Sequence, residues 1–105
     1  MRFIETPIFT EDVTRELSEE EYRQLQMALL LRPTQGALIK GSGGLRKIRW
    51  GRPGMGKRGG LRVIYFWEAN SETFYMLMVY RKNEQEDLTP KQVTTLQRLV
   101  KEEFK

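Results

Sequence analysis

Leu61-Arg62-Val63-Ile64-Tyr65-Phe66-Trp67 decides the fold. Apart from Arg62 the run is apolar throughout, the pattern of a strand buried on both faces. A polar stretch from Glu68 to Glu72, with Asn70-Ser71 inside it, reads as a hairpin turn. Thr73 to Tyr80 then supplies a second strand rich in aromatic and β-branched residues. Upstream, Leu45 to Trp50 alternates, with Ile48 and Trp50 on one face and Lys47 and Arg49 on the other. A loop from Gly51 to Gly60 joins it to the central run. Successive strands joined this way predict an antiparallel meander.

Outward from the meander the period changes to that of helices. Ser18 and Glu21 make an S-x-x-E capping box, with Leu17 and Tyr22 at the hydrophobic-staple positions. Tyr22, Leu25, Ala28 and Leu29 keep helical spacing, and Pro33 ends the run. Thr89, Pro90 and Gln92 repeat the box before a closing helix with Val93, Leu96, Val100 and Phe104 on one face. These stripes are read as core packing. Arg2 to Glu5 reads as a short strand broken at Pro7, and Thr10 as the N-cap of a brief helical turn reaching Leu17. The expected fold class is α+β: an antiparallel sheet meander packed against N-terminal helices and a C-terminal helix, as one domain over residues 1–105. No internal repeat or linker interrupts it.

With 105 residues, 39% hydrophobic, 10% aromatic and 30% charged, the chain can bury one core and is not of disordered composition. No apolar run is long enough to span a membrane. The first five residues lack a signal-peptide core, so a cytoplasmic location is expected. There is no cysteine and no histidine. That excludes disulfides, thiol nucleophiles, histidine triads and the common zinc ligands. Charge is segregated. From Tyr22 to Trp67 there are 46 residues with ten bases and no acid, and all nine glycines lie between Gly36 and Gly60. Surfaces that serve only solubility mix signs. A block of one sign and flexible backbone points to a phosphate-rich partner.

Two phosphate motifs match and fail. Gly51 to Lys57 fits the first seven positions of a Walker A loop, but Arg58 stands where Ser or Thr must bind Mg²⁺, and a strand follows instead of a helix. Gly54 to Gly59 fits G-x-G-x-x-G and fails likewise. What survives is a glycine-rich loop carrying Arg52, Lys57 and Arg58. Clustered carboxylates for metal-ion catalysis are absent from the basic block, so no metal and no cofactor is expected. Glu84, Glu86 and Asp87 read as a local run that stabilises the N-terminus of the closing helix. Cations alone can still promote phosphoryl transfer when the 2′-OH of RNA is the nucleophile.

Three segments carry a resemblance: Gly43-Gly44-Leu45-Arg46-Lys47-Ile48-Arg49, then Gly56-Lys57-Arg58-Gly59-Gly60-Leu61-Arg62-Val63-Ile64-Tyr65, then Tyr80-Arg81-Lys82-Asn83-Glu84. The chain resembles the RelE/ParE superfamily of bacterial toxins, most closely its HigB-type, RelE-like branch. The resemblance implies a toxin of a type II toxin–antitoxin pair that cleaves mRNA in the ribosomal A site, against 16S rRNA, and is silenced by a cognate antitoxin. It casts Lys47 and Arg49 as the pair that holds the scissile phosphate and assists deprotonation. Arg49 departs from the lysine of the best-known members, and arginine is a very poor base at neutral pH. It casts Lys57 and Arg62 as further catalytic cations, Arg62 as the transition-state stabiliser, and Arg81 or Lys82 as the acid for the leaving oxygen. Arg46, Arg52, Arg58, Arg81 and Tyr80 are the expected RNA contacts, Tyr80 standing in for a C-terminal tyrosine that has no counterpart near Thr89. Two alternatives share the fold: a non-catalytic RNA- or ribosome-binding module, and a gyrase-poisoning toxin.

Overall fold

The computed structural model describes residues 1–51 and 60–103. Eight elements run along them: β1 (Arg2–Glu5), α1 (Pro7–Glu16), α2 (Glu19–Leu31), β2 (Ala37–Leu38), β3 (Arg46–Trp50), β4 (Leu61–Glu68), β5 (Thr73–Arg81) and α3 (Pro90–Glu103). One sheet takes the order β1-β5-β4-β3-β2. The meander β2 to β5 is antiparallel, as its short turns require, while β1 lies parallel to β5 and makes the sheet mixed. A parallel neighbour needs a long crossover, and everything from α1 to β4 lies between these two strands. None of the described helices is long and apolar enough to cross a membrane.

β1 ends at Glu5, ahead of Pro7 as expected, and Pro7 also starts α1. Thr6 is the N-cap and its hydroxyl accepts from Phe9 N–H at 3.1 Å. Proline at the first helical position loses nothing, because its missing N–H would have had no partner. The helix therefore begins ahead of Thr10. The other two caps form as expected. Ser18 and Glu21 exchange both bonds, at 3.1 and 2.9 Å, and Thr89 and Gln92 do the same at 3.1 and 2.9 Å.

Helices cover both faces of the sheet. Phe9, Val13, Leu17, Leu25 and Leu29 from α1, α2 and their junction pack on Ile48, Leu61, Val63, Tyr65, Phe74, Met76 and Val79. On the reverse face Leu96 and Val100 of α3 pack on Leu45, Ile64, Tyr75, Leu77 and Tyr80. The Tyr65 hydroxyl accepts from Gly36 N–H at 3.0 Å and donates to the Pro33 carbonyl at 2.8 Å. A Cβ at residue 36 would stand 2.8 Å from that ring, so only glycine fits there.

The sheet carries one irregularity. Ile64 is opposite Met78 and Tyr65 opposite Met76, leaving Leu77 as the extra residue of a β-bulge. Before it, Phe74 and Met76 face α1 and α2; after it, Val79 faces them instead and Tyr80 turns to α3. The alternation has slipped by one.

Candidate functional site

Sheet register decides which cations meet. Arg49 on β3 lies directly opposite Arg62 on β4, and Arg62 lies opposite Tyr80 on β5. Residues two apart on a strand point the same way, so Lys47 joins Arg49 on the α3 side of the sheet. Two arginines facing each other across a strand pair repel. The sheet tolerates that cost at the edge of its second core, beside Tyr80 and ahead of α3.

Arg62 is only 8% exposed. A guanidinium has five N–H donors. Among the described residues this one makes a single long bond, 3.4 Å to the carbonyl of Leu61. Tyr80, 5% exposed, has a hydroxyl with no hydrogen-bond partner there. Burial raises the Tyr80 pKa, the Asp87 charge raises it further, and Arg62 lowers it in part, so at neutral pH the phenol is a donor. Buried polar groups are normally satisfied, because desolvation without a partner costs about 1–3 kcal/mol in proteins. A buried cation and a buried donor thus lie opposite each other with few partners among the described residues.

One carboxylate does reach this face. Lys47 Nζ donates to Asp87 Oδ1 at 2.6 Å. The hydrogen bond and charge of Lys47 hold the Asp87 carboxyl below the usual range, against slight desolvation, with Arg62 and Arg49 adding to the effect. Asp87 thus feels all three cations. Asp87 stands two residues ahead of the Thr89 cap, in the acidic run expected at the α3 N-terminus, and it serves in addition as the partner of Lys47. Forty residues separate Asp87 from Lys47, too far for any local spacing to show.

Other expected site residues lie elsewhere. Arg46 points to the α1/α2 side and donates to the carbonyls of Thr34 at 2.9 Å and Gly36 at 2.8 Å, tying down the connection after α2. Arg81 Nε donates to both oxygens of buried Glu16 on α1, at 2.7 and 2.8 Å, and stands 3.7 Å from Glu84. As neighbours on β5, Arg81 and Tyr80 face opposite sides, and the bulge decides that Tyr80 is the one turned to α3. Lys82 is exposed just beyond β5, and its N–H donates to the carbonyl of Gly60 at 3.1 Å. Arg52, Lys57 and Arg58 lie outside the described residues, as does most of the glycine-rich loop. The structure therefore brings together Lys47, Arg49, Arg62 and Tyr80, adds Asp87, and separates Arg46 and Arg81 from them.

The fold is similar to that of a double arginine-to-alanine mutant of the E. coli toxin RelE in its free state, with a TM-score of 0.61, 15% identity, and 90% of this chain and 94% of that chain covered. At that identity the likeness speaks for the α+β fold. The family described as the RelE toxin of the RelE/RelB toxin–antitoxin system matches residues 9–105. With nearly the whole chain matched, and with the sheet and helices arranged as in that toxin, the chain belongs to the RelE toxin family.

Proposed function

We propose that this toxin is of the HigB-type branch and is an mRNA endonuclease that cuts in the ribosomal A site, using cations and the 2′-OH of its own substrate. The observation that carries the reading is the opposed Arg49–Arg62 pair, with Arg62 buried and, among the described residues, short of hydrogen-bond acceptors. A phosphate seated there would accept from both guanidiniums and from the Tyr80 hydroxyl, relieving the repulsion and satisfying the buried donors together. Bidentate geometry suits arginine to this task.

As the 2′-oxygen attacks the adjacent phosphorus its proton passes to water, the bond to the 5′-oxygen breaks, and a 2′,3′-cyclic phosphate forms. Arg62 and Arg49 hold the extra negative charge of the pentavalent transition state, and Lys47 holds the phosphate from the neighbouring position. Arg49 is a clamp and not the base. Lys82, exposed just beyond β5, protonates the leaving 5′-oxygen, and Lys57, Arg52 and Arg58 contact flanking phosphates. The antitoxin implied by the family silences the protein by covering this face or by blocking access to the ribosome.

A cell-free translation extract with one defined mRNA tests the reading. Translation should stop with breaks at defined codon positions, the upstream fragments ending in a 2′,3′-cyclic phosphate or a 3′-phosphate. Fragments ending in a 3′-hydroxyl would refute attack by the 2′-OH. Intact mRNA with broken DNA would instead mark a gyrase poison, and arrest with both intact would mark a non-catalytic ribosome binder.

A further inference from the structure

Beside the cationic row lies a cavity of about 610 Å³ between the β2 segment and the first turns of α3. Its walls include Leu38, Ile39, Leu88 and Val93, and Lys47 and Asp87 form part of its lining. We propose that this cavity is a nucleobase subsite, which receives the base of a nucleotide whose phosphate rests on the cationic row. The inference rests on the phosphate reading above and adds to it a place where the base is held and told apart.

Four observations carry it. The first is size and chemistry: a concave site of this volume, mostly apolar with a few polar groups, is the usual form of a small-ligand pocket. The second is continuity, because Lys47 belongs both to the cavity and to the row that would hold the phosphate. The third is rigidity. Gln97 Nε2 donates to the Gly41 carbonyl at 3.1 Å, and Ile39 N–H donates to the Leu45 carbonyl at 2.8 Å, so both sides are fixed before any ligand arrives. The fourth is an apolar wall on the cavity's own face: Ile39, which packs towards α3, and Val93 of α3 are both half-buried, and a flat ring would cover them.

Asp87 supplies selectivity. Lys47 takes its Oδ1, and no hydrogen bond from a described residue reaches its Oδ2. A carboxylate oxygen accepts from an exocyclic amine such as the N4 group of cytosine. Adenine, cytosine and guanine carry such an amine and uracil does not, so the subsite ranks uracil last.

The test is an NMR titration of the folded protein with the four nucleoside 5′-monophosphates and with ribose 5-phosphate as the base-free control. The three amino-bearing nucleotides should bind about tenfold tighter than ribose 5-phosphate, and uridine monophosphate less tightly than they do. Val93→Ser, at a half-buried position of α3 outside both core clusters, should cut the nucleotide advantage at least threefold and leave ribose 5-phosphate unchanged. Asp87→Ala should erase the gap between uridine and the others. Equal binding of ribose 5-phosphate and the nucleotides would overturn the proposal, and so would an advantage that survives Val93→Ser intact. Failure of the two readings can be told apart in the extract. Base discrimination without RNA breaks would sink the endonuclease and spare the subsite, and breaks without base discrimination would do the reverse.

Discussion

The two faces of the sheet treat their arginines in opposite ways. On the α1/α2 face Arg46 donates to two backbone carbonyls and Arg81 to both oxygens of a buried carboxylate. On the α3 face Arg62 is buried and, among the described residues, makes one long bond, opposite Arg49. The first pair is used up by the fold and the second is held in reserve. A cation whose donors are satisfied internally stabilises the protein and has little left for a ligand. One that is desolvated and underused raises the energy of the free protein, and that cost is recovered when an anion binds. The comparison shows that basic residues equal in the sequence differ in role according to what the fold gives them to hold.

The largest effect should come from the reserve side. Arg62→Ala should lower RNA cleavage about 10²–10³-fold, the loss of one preorganised donor to a developing oxyanion. Stability should move by less than about 1 kcal/mol, because an uncompensated buried charge leaves with the side chain. Cleavage in the extract and a urea melt measure the two. A variant that still cleaves at the wild-type rate would break the comparison.

Next comes the used-up side. Arg81→Ala takes from Glu16, itself 5% exposed, the two hydrogen bonds that Arg81 gives it, and should lower the midpoint of the urea melt. Cleavage per folded molecule should not change. An Arg81→Ala protein that is fully stable and inactive would reverse the assignment of the two faces.

Smaller still is the effect of the counter-ion. Asp87→Ala frees Lys47 and should raise the affinity for ribose 5-phosphate about two- to fivefold, the scale of an exposed ion pair. A fall in affinity would show that Asp87 organises the row and does not compete for it.

The smallest effect is that of pH. Asp87 in the folded protein gives up its proton more readily than the ordinary value of 3.8. Its contribution to stability is therefore complete above that value and is lost only as pH falls below it. Between pH 5 and 8 the ratio of ribose 5-phosphate affinities for wild type and Asp87→Ala should stay constant. The two should converge only in stronger acid. A ratio that changes near neutrality would mean that another group titrates in the row.

Much of this was legible in the residues. The apolar run from Leu61 to Trp67 and the alternation from Leu45 to Trp50 reported β4 and β3 through their side-chain period. The boxes at Ser18 and Thr89 reported two helix starts, because capping is a bond between residues three apart. The face shared by Lys47 and Arg49 followed from the same period of two. The start of α1 differed, at Thr6 instead of Thr10, because proline both stops one element and opens the next, and the Thr6 hydroxyl caps the helix.

The sequence by itself determined the element types, the acid-free basic block and the isolation of Arg62 within an apolar strand, since each rests on residues within a few positions of one another. Only the tertiary structure decided which cations face one another. Strand register set Arg49 against Arg62. One extra residue, Leu77, inverted the alternation of β5, turning Tyr80 towards them and Arg81 away to Glu16. Asp87 came to Lys47 across forty residues of chain. Side-chain periodicity is local and survives in the sequence, whereas a bulge and a long-range ion pair are settled by packing across the sheet, where neighbours in space are strangers in the chain.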